Sequence, residues 1–527
     1  MLFSGLLLKW GRGKMRYEAI VVGAGLGGLT CAALLTQKGL RVLVLDKDHH
    51  PGGTSYVFQR GAFKFPMGPL SFSYPGYASC LLASLGIKEP LEFKRNHFQL
   101  ITGDLDLVYS VAPKELKQEL ARKFPREADG LEAFFQDLQK AMKLVHDIYL
   151  WHPDYLPEKL SPLQEKVVQT EYSESRKTRI LSWSQTFSGD VLRKYLNDRL
   201  LVNFLDSMGT GEPVMSFLTL AMMWNIMAVE GIWYPSWGIH GISDRLAEII
   251  RAGGGELWLG MSVKKIIIEN GQASGVLTAD DNFIGADWIV SNADAKTTFL
   301  ELTESRAVSG EFLEKVRSTP YTGSELCAYL GVDAEKIDLS QIRATHLFYC
   351  ARPGQVEGTG PGTDGLNLES KEIEVCRWTD NEPGQAPSGY VGLILRVGFD
   401  YDHFARFRTG EKKRTSEYQA YKTELALKLV RIVENIIPGL SGAIELMEVA
   451  TPLTYRDWGH RYQGSIAGWS WGADWTGNFG RKLLVETPVR NLFLAGIYAA
   501  SELFMGGVPT AMRTGELAAS LILRNIV

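Results

Sequence analysis

The stretch that decides the fold begins with the β-rich run Glu18-Ala-Ile-Val-Val22 and continues into Gly23-Ala-Gly-Leu-Gly-Gly28. Leu29-Thr-Cys-Ala-Ala-Leu-Leu35 follows, with helix-forming composition. Gly39 ends that predicted helix, and Arg41-Val-Leu-Val-Leu45 is predicted as a second buried strand that delivers Asp46. Strand, glycine turn, helix and strand in this order predict the first unit of a dinucleotide-binding α/β domain.

Each glycine of the turn has a physical task. Gly23 turns the chain tightly, Gly25 lets backbone amides approach a pyrophosphate, and Gly28 lets helix and strand pack closely. The anion then rests on the helix N-terminus, where unpaired N–H groups and the helix dipole favour negative charge. Asp46 is close to the acidic position expected to accept from a ribose hydroxyl. A structural glycine turn in some other α/β domain is the alternative.

The composition excludes several classes of protein. The chain has 527 residues, of which 45% are hydrophobic and 22% charged, and its formal net charge is −4. This balance excludes a disordered chain, a coiled coil and a strongly basic nucleic-acid binder. The 13 Trp, 20 Tyr and 23 Phe indicate a well-cored globular protein.

The cysteines and histidines predict no metal centre. The His49-His50 pair is predicted to lie in a solvated loop. None of the cysteines falls in a CxxC pair, so neither a disulfide framework nor a thiolate metal site is encoded, which fits a reducing compartment. They are Cys31, Cys80, Cys327, Cys350 and Cys376.

Two long uncharged stretches have roughly the length of a membrane span. The stretch from Phe65 to Ile87 is interrupted by prolines and glycines, which forbid one continuous helix. The stretch from Pro213 to Val229 contains three polar residues and is predicted as a helix that is buried or lines an apolar cavity. Residues 1–14 are predicted as an N-terminal extension, or a weak membrane-surface foot, because their apolar run precedes the charges, unlike a signal peptide.

Residues 46–69 indicate which dinucleotide is bound. Asp46-Lys47 leads into Pro51-Gly-Gly-Thr54 and then into Gly61-Ala-Phe-Lys-Phe-Pro-Met-Gly-Pro69. This arrangement resembles the FAD-binding signature of flavin amine oxidases and their relatives. The resemblance implies that the Gly52-Gly53 pair wraps the pyrophosphate and ribityl side, and that the Gly68-Pro69 turn passes near the isoalloxazine. Thr54 departs from the Arg or Ser that the family usually has there.

Later segments extend the resemblance. Val290-Ser-Asn-Ala-Asp294 is similar to the return strand of the phytoene desaturase, carotenoid isomerase and retinol saturase family, and Val263 matches the position whose backbone meets the adenine. A second strand that returns the chain to the cofactor is predicted at Asn491-Leu-Phe-Leu-Ala-Gly496. It is followed by the turn Gly506-Gly-Val-Pro-Thr-Ala511 and a helix. Ile497 stands where many flavoproteins have Asp.

The motif and the resemblance together predict a set of FAD-binding residues. They are Gly23, Ala24, Gly25, Leu26, Gly27, Gly28, Asp46, Lys47, Gly52, Gly53, Thr54, Gly68, Pro69, Leu70, Val263, Asn292, Gly496, Ile497, Gly507, Val508 and Pro509. The expected fold is α/β: a discontinuous Rossmann-like FAD-binding domain of residues 15–75, 232–300 and 481–527, flavin amine oxidase-like. An α+β substrate domain of residues 76–231 and 301–480 is inserted in it.

The predicted substrate domain contains most of the aromatic residues, including Trp469, Trp471 and Trp475. An apolar cavity there would suit a long isoprenoid, because apolar walls must replace lipid; ordinary core aromatics are the alternative. The resemblance implies an FAD-dependent oxidoreductase or isomerase that desaturates, isomerises or saturates a polyene such as a carotenoid, with quinone or oxygen as a possible electron acceptor. A flavin amine oxidase and a flavin-free prenyl-lipid carrier remain alternatives.

Three carboxylates are candidate catalytic groups. Asp206 and Glu212 flank the Gly209-Thr-Gly211 turn, and Glu502 lies in a divergent loop predicted to face the substrate. Each could polarise a polyene or stabilise a cation, and each could equally be a helix cap or a surface charge. We expect a cytoplasmic enzyme, soluble or peripheral on the membrane surface, that takes a hydrophobic substrate from the membrane and binds no nucleic acid.

Overall fold

The fold is given by a computed structural model, which describes residues 16–103, 105–151, 174–213, 215–353, 366–469, 484–500 and 507–526. Residues 1–14, Trp471, Trp475 and Glu502 lie outside these ranges.

The strands in chain order are β1 (Arg16–Val22), β2 (Val42–Asp46), β3 (Val57–Arg60), β4 (Phe63–Pro66), β5 (Phe72–Ser73), β6 (Phe93–Asn96), β7 (Phe98–Thr102), β8 (Leu105–Val108), β9 (Ile232–Pro235), β10 (Glu256–Leu259), β11 (Val263–Glu269), β12 (Gln272–Thr278), β13 (Phe283–Ser291), β14 (Ser324–Asp333), β15 (His346–Cys350), β16 (Ile373–Arg377), β17 (Tyr390–Phe399), β18 (Arg408–Gly410), β19 (Lys413–Arg414), β20 (Ile444–Ala450) and β21 (Leu492–Leu494).

The α-helices are α1 (Leu26–Gln37), α2 (Pro75–Ser84), α3 (Pro113–Lys123), α4 (Ala128–Trp151), α5 (Glu174–Gln185), α6 (Ser188–Tyr195), α7 (Arg199–Ser207), α8 (Phe217–Trp224), α9 (Gly238–Ala252), α10 (Gly310–Ser318), α11 (Tyr401–Ala405), α12 (Tyr418–Val433), α13 (Leu440–Ala443), α14 (Pro452–Asp457) and α15 (Gly507–Arg524).

The first sheet is built on β1, which is paired in parallel with β2 on one side and with β13 on the other. The strand order is β10-β2-β1-β13-β12-β11, and β21 also pairs in parallel with β13. Residues 19–22 of β1 and residues 42–45 of β2 are apolar and buried, because helices cover a parallel sheet on its faces. Helix α1 packs against both α9 and α15. Elements from three separate parts of the sequence therefore complete this unit.

The second sheet has the order β20-β14-β17-β16-β15-β7-β8. Its side chains alternate between two environments, as the two-residue period of a strand requires. On β14, Leu326, Ala328 and Leu330 belong to a core that α12 completes. Cys327 and Tyr329 point the other way, into the core of the first sheet. The second sheet thus presents one of its faces to the first.

A third core contains α3 to α8 with residues of β7 and β8. The stretch predicted as a buried helix forms α8, which is almost wholly buried and continues as a π-helical segment, Asn225–Glu230. Within the described ranges, no helix combines the length and apolar character that crossing a membrane requires.

One observed boundary differs from the prediction at residue 75. Helix α2 packs on α15, and its residues Ala78, Leu81 and Leu82 belong to the core of the first sheet. Its C-terminal residue Ser84 accepts a hydrogen bond through its carbonyl from the Gln37 side chain, 3.0 Å away. The first segment of this unit therefore runs through α2. Pro75, the last residue of the predicted first segment, is the first residue of this helix.

Candidate functional site

A cavity of about 660 Å³ lies where the first sheet, the turns after its strands and the second sheet meet. Most residues of the predicted FAD-binding set line it: Gly23, Gly25, Leu26, Gly27, Asp46, Lys47, Gly52, Gly53, Thr54, Gly68, Pro69, Val263, Asn292, Gly496, Ile497, Gly507 and Val508. Ala24, Gly28, Leu70 and Pro509 adjoin these residues in the chain without lining the cavity. The structure thus gathers residues that the sequence distributes over nearly 500 positions.

The glycine turn is packed so closely that side chains cannot replace its hydrogens. Gly23 has φ +102°, a conformation that favours glycine. A Cβ at Gly27 would lie 2.4 Å from the backbone nitrogen of Gly496, and one at Gly28 would lie 2.3 Å from the carbonyl oxygen of Gly23. The glycines therefore let β1, α1 and the segment after β21 approach one another at the cavity wall.

The N-terminus of α1 is suited to an anion. Gly25 precedes the helix, no side chain caps it, and its first turn contains no acidic residue. Gly25, Leu26 and Gly27 all line the cavity. Unpaired N–H groups and the positive end of the helix dipole are thus directed at one wall, which fits a phosphate group.

Asp46 ends β2 at the same wall. Its Oδ1 accepts from the backbone N–H of Asp48 at 2.8 Å, and its Oδ2 accepts from the backbone N–H of Ala24. Burial raises the pKa of the Asp46 carboxyl, while these hydrogen bonds oppose the rise. The carboxyl is thus held in place with oxygen lone pairs left to accept from a ligand hydroxyl.

Three side chains that sequence reasoning missed line the cavity from the second sheet and α14: Glu325, Arg396 and Tyr455. The Arg396 guanidinium donates to the carbonyl oxygen of Gly68 at 2.7 Å, and its Nε lies 3.5 Å from Oε1 of Glu325. The Tyr455 hydroxyl donates to the same Glu325 oxygen at 2.6 Å. A buried ion pair and a tyrosine thus support the turn that the resemblance places near the isoalloxazine.

Further polar side chains lie across the second sheet, away from the cavity. Arg396 lies opposite Glu374 on the neighbouring strand, with Nη1 4.0 Å from Oε2. Oε1 of Glu374 lies 2.8 Å from Nδ1 of His346. Burial alone would raise the pKa of Glu374, but the hydrogen bond with His346 and the Arg396 charge lower it. Burial, then the nearby Glu325, raise the pKa of Tyr455 far above its usual range. The tyrosine therefore stays protonated beside its carboxylate.

Aromatic residues form part of the remaining wall. Tyr498 lines the cavity, and its ring centroid lies 4.6 Å from that of Tyr321. The Tyr321 ring in turn contacts Trp469 edge to face, with 4.6 Å between the ring centroids. The Trp469 indole N–H donates to the carbonyl oxygen of Tyr498 at 3.1 Å. Trp469 thus supports the wall from behind and does not line the cavity itself.

The predicted catalytic carboxylates do not meet at this site. Asp206 is fully buried in α7 beside the helical core, and it does not line the cavity. Glu212 lies on the surface, where a hydrogen bond from Arg199 lowers the pKa of its carboxyl. Both precede an apolar helix, but that helix belongs to the third core. Glu502 lies outside the described residues.

No metal-binding arrangement is present in the part of the chain that the structure describes, where no group of three or more His, Cys, Asp or Glu side chains is placed to hold an ion. The His50 ring stacks on Tyr56 with 3.5 Å between ring centroids.

Comparison with known proteins extends these observations. Residues 21–85 match the family model of an NAD(P)-binding Rossmann-like domain. A chloroplastic prolycopene isomerase from Daucus carota is 28% identical, with 93% of this chain and 77% of the relative covered. A phytoene desaturase (neurosporene-forming) from Rhodobacter capsulatus is 26% identical, covering 96% and 94%. An all-trans-retinol 13,14-reductase from Danio rerio is 22% identical, covering 96% and 86%.

Solved structures agree on the fold. An oxidoreductase from Methanosarcina mazei superposes with a TM-score of 0.60 at 18% identity, covering 96% of this chain and 100% of the other. A putrescine oxidase variant gives a TM-score of 0.61 at 14% identity, covering 97% and 100%. The predicted fold class, a Rossmann-like unit in a flavin amine oxidase-like α/β protein, is confirmed. Over nearly its whole length, the chain is therefore similar to enzymes named prolycopene isomerase, phytoene desaturase and all-trans-retinol 13,14-reductase, as its sequence motifs predict.

Proposed function

We propose that the chain is an FAD-dependent oxidoreductase or isomerase that acts on a long apolar polyene or other isoprenoid, such as a carotenoid. Desaturation, cis–trans isomerisation and saturation are all reactions for which a flavin can accept or return a hydride. The names of the relatives support this substrate class, since they cite prolycopene, phytoene and all-trans-retinol.

The observation that carries the proposal is that residues of both the first and the second sheet line one cavity. Gly25 and Asp46 line it from the first sheet, and Glu325 and Arg396 line it from the second. The first wall offers backbone donors for phosphate, and the second lies beside the Gly68 turn. A cofactor held by the first wall would therefore meet a substrate held by the second.

FAD is the flavin that we propose, because the wall offers a place for each of its parts. The N–H groups of Gly25 to Gly27 suit the pyrophosphate, and Asp46 suits a ribose hydroxyl. The N-terminal residues of α15, Gly507 and Val508, line the cavity, and a helix N-terminus favours a pyrimidine that gains negative charge on reduction. FAD bound there would supply a hydride acceptor or donor at N5.

The chain's own residues would orient the partners. Arg396 holds the carbonyl of Gly68 and so fixes the turn beside the reacting end of the cavity. The Tyr455 hydroxyl keeps its proton and donates it in a hydrogen bond to Oε1 of Glu325, which fixes the orientation of both side chains at this wall. Arg396 lies within ion-pair distance of both Glu325 and Glu374, and these two carboxylates hold its guanidinium in place at this wall.

We also propose that electrons pass to a quinone or to oxygen, and that the protein works in the cytoplasm at the membrane surface. The substrate class supports this location, because a long polyene partitions into lipid and has to be collected there. Co-sedimentation with phospholipid vesicles tests the membrane contact. Protein that remains in the supernatant with both neutral and anionic vesicles would contradict it.

The sequence also left open an amine oxidase and a flavin-free lipid carrier. The likeness to putrescine oxidase is at 14% identity and concerns the fold alone. None of the three relatives described above is named for an amine or for carrier activity. We therefore retain the polyene enzyme as the one proposed function.

The test is to purify the protein, reconstitute it with FAD, and incubate the oxidised and the photoreduced forms with cis-carotenoids and phytoene under anaerobic conditions. Isomerisation only in the reduced form identifies an isomerase, and new double bonds with bleaching of oxidised flavin identify a desaturase. Loss of double bonds identifies a saturase. Protein without flavin absorbance after reconstitution would overturn the cofactor, and flavoprotein that converts no polyene would overturn the substrate class.

A further inference from the structure

We propose that Arg461 binds the pyrophosphate of FAD, and that it is held there by a strap, defined as residues 457–466, that crosses the cofactor cavity. The inference rests on the FAD cofactor proposed above. It assigns a cationic phosphate ligand to a segment more than 400 positions after the glycine turns.

Arg461 lies beside the second glycine turn. Its Nη2 donates to the Oγ1 of Thr54 at 2.7 Å, and Thr54 directly follows the Gly52-Gly53 pair. Arg461, Gly52, Gly53 and Thr54 all line the same cavity. The guanidinium therefore reaches the wall on which phosphate oxygens would lie.

The charge of Arg461 is not neutralised by the described residues. Its hydrogen bonds go to neutral acceptors, namely the hydroxyl of Thr54 and the carbonyl oxygens of Ser465 and Ile466. By contrast, Arg396 and Arg408, which line the same cavity, are paired with Glu325 and Asp457. A half-buried guanidinium without an anionic partner, next to a phosphate cradle, is suited to a phosphate, which accepts from it through two parallel bonds.

The glycine turns need such a cation. Their backbone N–H groups and the helix dipole contribute only partial charges, and Thr54 contributes a hydroxyl. A pyrophosphate carries full negative charges that leave water when the cavity closes over it, which costs free energy unless a cation accompanies them. Arg461 supplies that cation beside the second glycine turn.

Contacts on both sides of Arg461 fix its position. Nε2 of His460 lies 2.9 Å from Oδ1 of Asp48, just after β2. The backbone N–H of Tyr462 donates to Oδ2 of Asp294, just after β13, at 3.1 Å. At the start of the strap, Asp457 is paired with Arg414 at 2.7 Å and with Arg408 at 3.0 Å. The strap is thus attached at its base and at two strand ends that border the cofactor.

The backbone of the strap is consistent with a constrained function. His460 has φ +54° and Gln463 has φ +50°, the left-handed region that non-glycine residues seldom occupy. Such conformations cost of order 1 kcal/mol or more each and persist where surrounding contacts determine them. Here the contacts of His460 and Tyr462 direct the residue between them into the cavity.

The experiment measures FAD affinity of the apoprotein by quenching of flavin fluorescence, for the wild type, Arg461→Ala, Arg461→Lys and the control Arg406→Ala. Arg406 stacks on Phe407 and Tyr421 and does not line the cavity. We expect Arg461→Ala to weaken FAD binding about 10- to 100-fold, as loss of a charge-assisted hydrogen bond does. Arg461→Lys should lose less because it keeps the charge, and Arg406→Ala should bind as the wild type does.

Competition by ADP and adenosine separates a phosphate contact from a structural role. ADP carries a diphosphate and adenosine carries no phosphate. Arg461→Ala should therefore weaken the binding of ADP and leave the binding of adenosine unchanged. Equal losses for ADP and adenosine, or unchanged FAD affinity, would overturn the inference. If the alanine variant does not fold, Arg461→Gln, which keeps an amide near Thr54, provides the same comparison.

The outcome distinguishes this inference from the proposed function. A wild-type protein that binds no FAD overturns the cofactor proposal itself. A wild-type protein that binds FAD no more tightly than Arg461→Ala leaves the cofactor in place and removes only the role of Arg461.

Discussion

The side-chain oxygen of Asn292 accepts a hydrogen bond from the backbone N–H of Gly28 at 2.8 Å, although the two residues are 264 positions apart. Its amide nitrogen faces Gly25 so closely that a Cβ there would lie 2.5 Å away. Asn292 therefore fixes the glycine turn of the first segment from the end of β13, and this contact couples cofactor binding to the assembly of the first sheet.

We expect Asn292→Ala to weaken FAD binding and to lower the free energy of unfolding by about 1–3 kcal/mol, because the Gly28 N–H loses its acceptor. Urea unfolding and flavin titration measure the two effects. Asn525→Ala, which removes an amide bonded to the Leu521 carbonyl near the end of α15, is the matched control and should change neither. Equal effects of both substitutions would contradict the role of Asn292.

Gly27→Ala should abolish FAD binding, because the added Cβ would lie 2.4 Å from the backbone nitrogen of Gly496 and would force α1 away from the segment after β21. The control is Gly442→Ala in α13, where an added Cβ meets open space. Helix propensity favours alanine there by up to about 1 kcal/mol. Flavin content after purification with added FAD measures the result, and retention of flavin by Gly27→Ala would refute the packing argument.

Tyr455→Phe should reduce polyene turnover about fivefold while leaving FAD affinity unchanged. The substitution removes the hydroxyl that donates to Glu325, and one hydrogen bond of about 1 kcal/mol corresponds to nearly that factor in rate. Tyr418→Phe is the control, since it removes a buried hydroxyl bonded to Thr451 that does not line the cavity. Turnover that is the same in both variants would contradict a role for the Glu325–Tyr455 pair.

Acidification should release FAD as the pH falls below about 4. Burial alone would raise the pKa of Asp48, but its hydrogen bond and charge interaction with His460, together with the charges of His50 and Lys412, lower it below its usual 3.8 in the folded protein. The pKa of Asp457 is also lowered: burial would raise it, but hydrogen bonds from Arg408 and Arg414 prevail. A lowered folded-state pKa gives stability that is present above the unfolded pKa and is lost as pH falls through the folded value.

Flavin fluorescence against pH follows this release, since free FAD is more fluorescent than quenched, bound FAD. Asp48→Asn should release FAD at a higher pH than the wild type because the strap has already lost one attachment. Asp338→Asn, which alters a surface carboxyl bonded to Ser340, should keep the wild-type profile. Coincident profiles for Asp48→Asn and the wild type would show that the strap does not control release.

Local sequence patterns predicted the wall of the site that the first sheet provides, but they did not predict the wall that the second sheet provides. Gly23 to Gly28 and Asp46 could be identified because their tasks depend on nearby residues in one strand-turn-helix-strand unit. Glu325 and Arg396 lie on strands that meet only in the folded chain. Their one sequence signal is a charged residue inside each apolar strand run, Ser324–Asp333 and Tyr390–Phe399. A buried charge needs a partner, but the sequence does not say which.

Two of the predicted catalytic carboxylates, Asp206 and Glu212, do not line the cavity, for a related reason. Asp206 and Glu212 were chosen because they adjoin an apolar helix, and the sequence cannot say whether such a helix lines a cavity or fills a core. In the structure α8 fills a core with α4 and α7. Arg461 has no local signal at all, because its role depends on Thr54, 407 positions earlier.

The position of β21 and α15 has a consequence for biosynthesis. Strand β21 pairs with β13, and Gly515 of α15 packs on the carbonyl of Gly27, so the first glycine turn gains these neighbours only after residues 492–515 have been synthesised. At about 5–20 residues per second, translation of such a chain takes roughly half a minute or more. Throughout that time the apolar surface of α1 is not yet covered by α15. Nascent chains arrested before β21 should therefore capture no flavin, and loading of the cofactor becomes a step that follows synthesis of β21 and α15.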